Sequence, residues 1–169
     1  MEKNIKIKEA GEADIPVIQK IAAVAFPDTY KDLISREQID FMMNWMYSTE
    51  SLVRQMTVDG HTYLIVSEED RPVGYVSVQP VEEGVVELQK IYVLPGCQGQ
   101  GLGRRLFDEA VGWIRSNGYA PCRMELHVNR HNKALLFYEH LGMRKLRQGD
   151  FDIGSGFQMN DYIMGINID

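Results

Sequence analysis

The sequence predicts an α+β fold in which one mixed, mostly antiparallel sheet of about six to seven strands is flanked by helices. Helical patterns come first along the chain, a run of alternating strands follows, and strands then alternate with helices. The chain has 169 residues, of which 44% are apolar and 25% charged, values typical of a single globular domain over 1–169. This order of elements does not fit a purely parallel, doubly wound sheet.

The N-terminal third predicts one strand and three helices. Isoleucine alternates with lysine in the strand, and apolar residues recur at helical spacing in the helices. The first helix is expected to be capped by Asp14, to carry Pro16 in its first turn and to end near Pro27. The predicted strand covers 4–8, and the predicted helices cover 13–26, 36–47 and 48–58.

The pattern changes to strands from Thr62 onwards. Residues 69–72 predict the turn of an antiparallel hairpin, a later strand stops at Pro95, and Asn132 is a candidate cap for the last helix. The predicted strands cover 63–67, 73–78, 85–94, 122–128, 143–146 and 158–168, and the predicted helices cover 101–117 and 132–141.

The charge is unevenly distributed along the chain. The net charge is -6, but residues 90–147 hold ten Lys or Arg against four acidic residues, a net +6. The other residues hold eight basic against twenty acidic side chains, a net -12. A basic block in an acidic protein suits an anionic cofactor on one side and a cationic substrate on the other, while two solvated faces are the plainer explanation. The overall charge argues against a nucleic-acid partner.

The sequence also bears on compartment and metals. It contains no apolar run of the ~20 residues that would span a bilayer, and the first residues lack the pattern of a signal peptide, so we expect a cytoplasmic protein without a membrane partner. Cys97 and Cys122 are expected to be free thiols. We expect no metal site, because His, Cys and acidic residues do not cluster at ligand spacing.

The most informative segment runs from Leu88 to Arg105, where a strand enters a glycine loop that opens a helix. Glycines allow close approach of the backbone to a ligand, and free amides at a helix N-terminus bind phosphate. The spacing of Gly99, Gly101 and Gly103 excludes the dinucleotide fingerprint and the P-loop. The segment therefore predicts a site for a phosphorylated cofactor, against the alternative of a flexible loop.

This segment resembles motif A of the GNAT superfamily of N-acetyltransferases, through Gln98, Gly101 and Gly103. The later residues Ala134, Tyr138 and the Gly that follows at 142 resemble a second signature of the same family, after an intervening strand. The resemblance implies the acyl-CoA N-acyltransferase fold over most of the chain. The glycine loop, the downstream tyrosine and the tail resemble most the branch of PaiA-like polyamine acetyltransferases.

The resemblance implies acetyl-CoA as the cofactor and acetyl donor. The pyrophosphate is expected on the backbone amides from Gln98 to Arg104, and the pantetheine arm along the exposed backbone of the fourth strand, where the fourth and fifth strands splay apart. The asparagines at 129 and 132 are expected to hold that arm. The implied cofactor residues are Ile91, Tyr92, Val93, Gln98, Gly99, Gln100, Gly101, Leu102, Gly103, Arg104, Asn129 and Asn132.

The reaction that the resemblance implies is the attack of a neutral amine on a thioester, which needs a base, donors for the oxyanion and a proton for the departing thiolate. The resemblance implies Tyr138 as the general acid, against a plain core aromatic. The family's glutamate base would stand at Gln89, which cannot take a proton, so Glu87 on the same strand face is the expected relay. His127 and His131 are alternative bases, each with a structural role as the plainer explanation.

The acceptor is expected to be a small primary amine, with a polyamine such as spermidine as one candidate. Acidic residues around the first two helices, including Asp28, and the tail around Asp161 fall where this family builds its acceptor pocket, with Tyr30 and Gln89 as further wall residues. The alternatives are a protein N-terminal or lysine acetyltransferase and a catalytically silent acetyl-CoA-binding module. A homodimer is left open.

Overall fold

The computed structural model describes residues 3–169, which form one seven-stranded sheet with helices on both faces. The strands are β1 (Ile5–Glu9), β2 (Thr62–Glu68), β3 (Arg71–Glu82), β4 (Val85–Val93), β5 (Cys122–Asn129), β6 (Arg144–Gly154) and β7 (Phe157–Ile168). The helices are α1 (Ile15–Tyr30), α2 (Arg36–Tyr47), α3 (Thr49–Thr57), α4 (Leu102–Ser116) and α5 (Ala134–His140).

The sheet order is β1-β2-β3-β4-β5-β7-β6, and every neighbouring pair is antiparallel except β4 with β5. The parallel pair follows from the crossover through α4, since parallel neighbours need a long connection. The predicted mixed, mostly antiparallel sheet of six to seven strands with flanking helices is therefore confirmed.

Two apolar cores lie on opposite faces of the sheet. The first packs α4 against β2 to β5 and β7 and includes Leu106, Phe107 and Ile114. The second packs α1, α2 and α3 against β2 and β3 and includes Phe26 and Tyr75. Alternation along each strand supplies one side chain to each core in turn.

Local sequence explains where several elements begin. The Ser35 hydroxyl accepts a hydrogen bond from Gln38 N at 3.1 Å, and the Ser48 hydroxyl accepts one from Ser51 N at 3.2 Å, so serines cap α2 and α3. The β2–β3 hairpin turns through Glu69 and Asp70, whose φ angles of 50° and 63° are those of a two-residue turn matching the strand twist.

Two expectations for the first helix were wrong: that the Asp14 side chain caps it and that it ends near Pro27. The Asp14 carboxylate accepts a hydrogen bond from Gly11 N at 2.9 Å and forms an ion pair with Lys8. It therefore closes the preceding 3-10 turn and does not cap α1. The helix continues past Pro27 to Tyr30, and Lys31 N donates to Pro27 O at 2.9 Å, so the proline carbonyl still takes part in the last turn. This extra turn carries Asp28 and Tyr30 into the cavity described next.

Candidate active site

A large cavity opens where β4 and β5 part. The two strands pair only from Val85 with Arg123 to Glu87 with Glu125, and beyond Glu87 the β5 side of β4 has no strand partner. The register of β3 with β4 shifts between Ser77 and Val78, which makes Gln89 a bulge residue and bends β4 away. The cavity between the strands has a volume of about 950 Å³, and the expected splaying is thus present.

The glycine loop forms one end of this cavity. Gly99 and Gly101 have φ angles of 82° and 76°, and a Cβ on either would meet no heavy atom within 4 Å. Gly101 stands at the N-terminus of α4, where no side chain caps the helix, so the first amides of α4 keep their donors for a ligand. The Gln98 amide donates to Val93 O at 3.2 Å, which ties the loop to the end of β4.

This end fits the diphosphate of coenzyme A, since it offers free amides, a helix dipole and open space where side chains are absent. The unpaired edge of β4 fits the amide groups of the pantetheine arm, which can add to a strand edge as another strand would. The residues present are therefore of the kind that an acyl-CoA requires.

Three tyrosines converge on the middle of the cavity. Tyr138 of α5, Tyr30 of α1 and Tyr92 of β4 line its wall, and the first two are more than nine-tenths buried. Burial raises the pKa of Tyr138, and the nearby Tyr30 raises it further. Burial also raises the pKa of Tyr30, with Tyr92 and Asn132 as neighbouring hydrogen-bond groups. A tyrosine with a raised pKa keeps its proton at neutral pH and can donate it.

On the cavity wall, the His127 imidazole lies between two carboxylates. His127 Nε2 lies 3.1 Å from Glu87 Oε1, and His127 Nδ1 lies 3.6 Å from Asp161 Oδ2. The Gln89 amide donates to Glu87 Oε2 at 3.1 Å and to Gln79 Oε1 at 2.8 Å, so it orients the carboxylate beside it.

Lys90 is a buried cation next to this group. Its ammonium donates to Gln55 Oε1 at 2.8 Å and to the Tyr63 hydroxyl, and it lies 4.7 Å from the centroid of the Tyr47 ring. Burial lowers the pKa of Lys90 to about 7, and no carboxylate among residues 3–169 forms an ion pair with it. Lys90 lies on the wall between the main cavity and a second one of about 590 Å³.

Most residues expected at the site lie on the main cavity. Those on its wall are Asp28, Tyr30, Gln89, Ile91, Tyr92, Val93, Gln98, Gly99, Gly101, Leu102, Gly103, Arg104, Asn132 and Tyr138. Four others are not on its wall. Glu87 and Asp161 contact His127, which is on the wall, Asn129 Oδ1 accepts a hydrogen bond from His131 N at 2.9 Å, and the exposed Gln100 accepts one from Lys3 at 3.3 Å.

The structure gives His127 and Lys90 a more prominent place at the site than the sequence alone did. His127 was one of two alternative histidine bases, and its position between two carboxylates depends on strand register, which no local pattern encodes. The buried location of Lys90 depends on the bulge at Gln89. The alternating pattern of residues 122–128 was the signal that placed His127 on the polar face of its strand.

No helix among the described residues is both long and apolar enough to cross a membrane.

The fold and this cavity together define the class of enzymes that transfer an acyl group from a coenzyme A thioester to an amine. Comparison with known proteins agrees with that class. Residues 18–143 match the acetyltransferase (GNAT) family, and the chain therefore belongs to that family. It is an acetyl-CoA-dependent N-acetyltransferase.

Individual relatives are distant. An Escherichia coli (strain K12) protein, uncharacterized N-acetyltransferase YjgM, is 32% identical over 108 residues, a match that covers 62% of each chain. The crystal structure of PaiA N-acetyltransferase from Thermoplasma acidophilum in complex with coenzyme A superimposes with a TM-score of 0.77 at 20% identity, covering 97% of this chain and 99% of that one. The ribosomal-protein-S18-alanine N-acetyltransferase from Escherichia coli gives a TM-score of 0.72 at 20% identity, covering 98% and 95%. These structures share the fold.

Proposed function

We propose that the protein acetylates a primary amine of a small cationic acceptor, with polyamines such as spermidine as the acceptor class, as in the PaiA-like branch. Four carboxylates on or next to the cavity wall carry this proposal. Asp28, which pairs with Lys31 at 3.3 Å, and Asp32 line the wall, and Glu87 and Asp161 contact His127, which lines the same cavity. Carboxylates in a cleft raise the local concentration of a polycation and orient it.

The coenzyme A diphosphate rests, in this proposal, on the loop from Gln98 to Arg104, and the pantetheine arm lies along Ile91 and Val93. Bound acetyl-CoA supplies an activated acetyl carbon and a thiol leaving group. The free amides of α4 and the open space at Gly99 and Gly101 support the first contact, and the unpaired edge of β4 supports the second. Asn132 lines the cavity and supports a contact with the arm, while Asn129 acts by fixing the loop at His131.

Tyr138 serves as the general acid that protonates the departing sulfur. Its burial and raised pKa keep the proton on the hydroxyl until the thiolate forms, and the hydroxyl belongs to a side chain on the cavity wall. A thiol in water has a pKa of about 8.5, below that of a phenol, so the proton moves to the sulfur only as negative charge develops there, in a buried site that also disfavours a free thiolate.

Glu87 serves as the group that takes the proton of the acceptor. Gln89 occupies the position expected for a glutamate base and cannot accept a proton, but its amide fixes Glu87 at 3.1 Å. A carboxylate positioned in this way reaches the acceptor through the space beside Gln89, directly or through one water.

The test is the release of free coenzyme A from acetyl-CoA across a panel of amines. Spermidine, putrescine, lysine, and peptides with a free N-terminus are compared at equal concentration. We expect the highest kcat/KM with spermidine, and a decrease when ionic strength rises, since the attraction is electrostatic. A preference for the peptides contradicts the acceptor class but leaves the chemistry intact. Coenzyme A binding without release for any amine contradicts the proposed acceptor class and the catalytic roles.

A further inference from the structure

His127 has both ring nitrogens directed at carboxylates from other strands. Nε2 faces Glu87 of β4 at 3.1 Å, where the pairing of β4 with β5 ends, and Nδ1 faces Asp161 of the neighbouring strand β7 at 3.6 Å. The side chain is 40% exposed and lies on the wall of the main cavity. The imidazole thus connects the acceptor end of the cavity both to a buried carboxylate and to solvent.

The surroundings of His127 favour its protonated form. Glu87 and Asp161 are the charged groups that face it, and β6 adds only the Phe151 ring, 5.0 Å away between centroids. The other charged groups of this region pair among themselves: Glu125 bridges Arg123 and Arg147, and Arg130 binds Asp150. Two uncompensated carboxylates therefore act on one imidazole.

Of the two carboxylates, Asp161 has the stronger effect on the pKa of His127. It is 5% exposed, and its Oδ1 is buried without a hydrogen-bond partner among the described residues. A buried carboxylate in which one oxygen lacks a hydrogen-bond partner is strongly stabilised by a neighbouring cation. The interaction with Asp161 raises the pKa of His127 most, that with Glu87 raises it further, and burial opposes them, with a result of about 9.

We propose that His127 stores the proton that Glu87 takes from the acceptor ammonium, with Asp161 holding the imidazolium that results. This inference rests on the proposed acetyl transfer and names a positioning residue for it, since His127 acts through Glu87.

The protons balance as follows. One N–H bond of the acceptor ammonium breaks, and the proton passes over the Glu87 carboxylate to Nε2 of neutral His127. The freed amine forms the new C–N bond while the C–S bond of the thioester breaks, and Tyr138 gives its hydroxyl proton to the sulfur. The nitrogen then loses its second proton, which restores the Tyr138 hydroxyl. His127 finally releases the stored proton to solvent through its exposed edge.

Passing the proton on to His127 makes its removal from the acceptor ammonium far more favourable than transfer to Glu87 alone. An amine with a pKa of about 10.4 gives its proton to an ordinary glutamate, pKa about 4.3, with an equilibrium constant of about 10⁻⁶. Transfer to an imidazole with a pKa of about 9 is unfavourable by only about 25-fold. General base catalysis works best when the pKa of the base lies near the working pH, and a value of about 9 is nearer to it than that of an ordinary glutamate.

The test combines kcat/KM against pH with NMR titration of His127 in the enzyme alone, using the best amine of the panel. We expect the wild-type rate to rise up to about pH 9, with the imidazole titrating at the same pH. Asp161→Asn should move both the rising limb of kcat/KM against pH and the NMR titration of His127 at least one pH unit lower. His140→Gln, an exposed histidine of α5 outside the cavity, is the control and should change neither.

A second variant covers the case in which Asp161→Asn fails to fold. His127→Gln keeps a hydrogen-bonding side chain, and it should lower kcat/KM at pH 8 at least tenfold and abolish the limb near pH 9. A rate limb that stays in place while the NMR titration moves overturns the inference, because the limb then belongs to the amine itself. In that case acetyl transfer still proceeds, so the result is distinct from a failure of the proposed function.

Discussion

The ammonium nitrogen of Lys90 lies 2.8 Å from Oε1 of Gln55, in a part of the core where tyrosines replace the carboxylate that normally accompanies a buried lysine. Tyr63 donates to the same Gln55 oxygen and accepts from Lys90. Neutral acceptors and ring faces stabilise the ammonium less than a carboxylate would, which is why burial dominates its pKa.

Lys90→Met is expected to stabilise the protein most at low pH. The pKa of Lys90 falls from 10.5 to about 7 on folding, so the unfolded chain binds more protons between these values and the cost of the buried charge disappears as the pH rises. The gain in free energy of unfolding over wild type should be larger at pH 6.5 than at pH 10, by about 4 kcal/mol at most. Urea unfolding at both values measures it.

Two comparisons make that measurement specific. The raised pKa of His127 contributes stability below pH 6.5 that is lost through pH 9, but it does so in wild type and variant alike and cancels. Lys20→Met changes an exposed lysine of α1 and should show no pH-dependent gain. A gain for Lys90→Met that is equal at both pH values would contradict a buried ammonium.

Tyr138→Phe should lower kcat more than tenfold, because general acid catalysis contributes a factor of about 10² to 10⁴. The dissociation constant of coenzyme A, measured by calorimetry, should stay within about twofold, since the ring still fills its place on the wall. Tyr119→Phe alters an exposed tyrosine stacked on Trp113 and is the matched control. Unchanged turnover across pH would remove Tyr138 from the reaction.

Glu87→Gln should lower kcat/KM by at least tenfold without loss of coenzyme A binding. The amide keeps the shape of the side chain but cannot take a proton, and it also removes one of the two carboxylates that face His127. Initial rates at pH 8 with saturating acetyl-CoA measure the effect. Glu83→Gln, in the exposed turn between β3 and β4, is the control. A variant with the wild-type rate would mean that another group accepts the proton.

Gly101→Ala should weaken coenzyme A binding. A residue with a Cβ at φ 76° costs about 1–2 kcal/mol, so the loop relaxes away from the conformation that opens α4. Calorimetry should show a dissociation constant about tenfold higher or more. Gly112→Ala lies within the same helix with open space around it and should stabilise the protein by up to about 1 kcal/mol without changing binding. Equal affinity in both variants would exclude the loop as the diphosphate site.

Local patterns predicted most of the secondary structure. The helix at 36–47 has the bounds of α2, and the glycine loop lies between β4 and α4 as expected. The expected end of α1 was wrong because proline was taken as a stop, whereas α1 includes Pro27 and continues for one more turn, with Phe26 and Tyr30 packed in the core.

Register and bulges account for what the sequence could not predict at the site. Strict alternation from Val86 and Leu88 would place Lys90 on the same face as those residues. The extra residue Gln89 turns it towards Tyr63 instead. The contact of His127 with Glu87 joins residues 40 positions apart on two strands, at the point where their pairing ends, so neither strand pattern contains it.

The three residue pairs that join β4 to β5 make a seam between two otherwise well-paired halves of the sheet. A ligand in the opening bridges this seam, and at 100 times its dissociation constant it adds about 2.7 kcal/mol to the free energy of unfolding. Resistance to proteases should therefore follow the supply of coenzyme A, and it should fall when the acetyl donor is scarce.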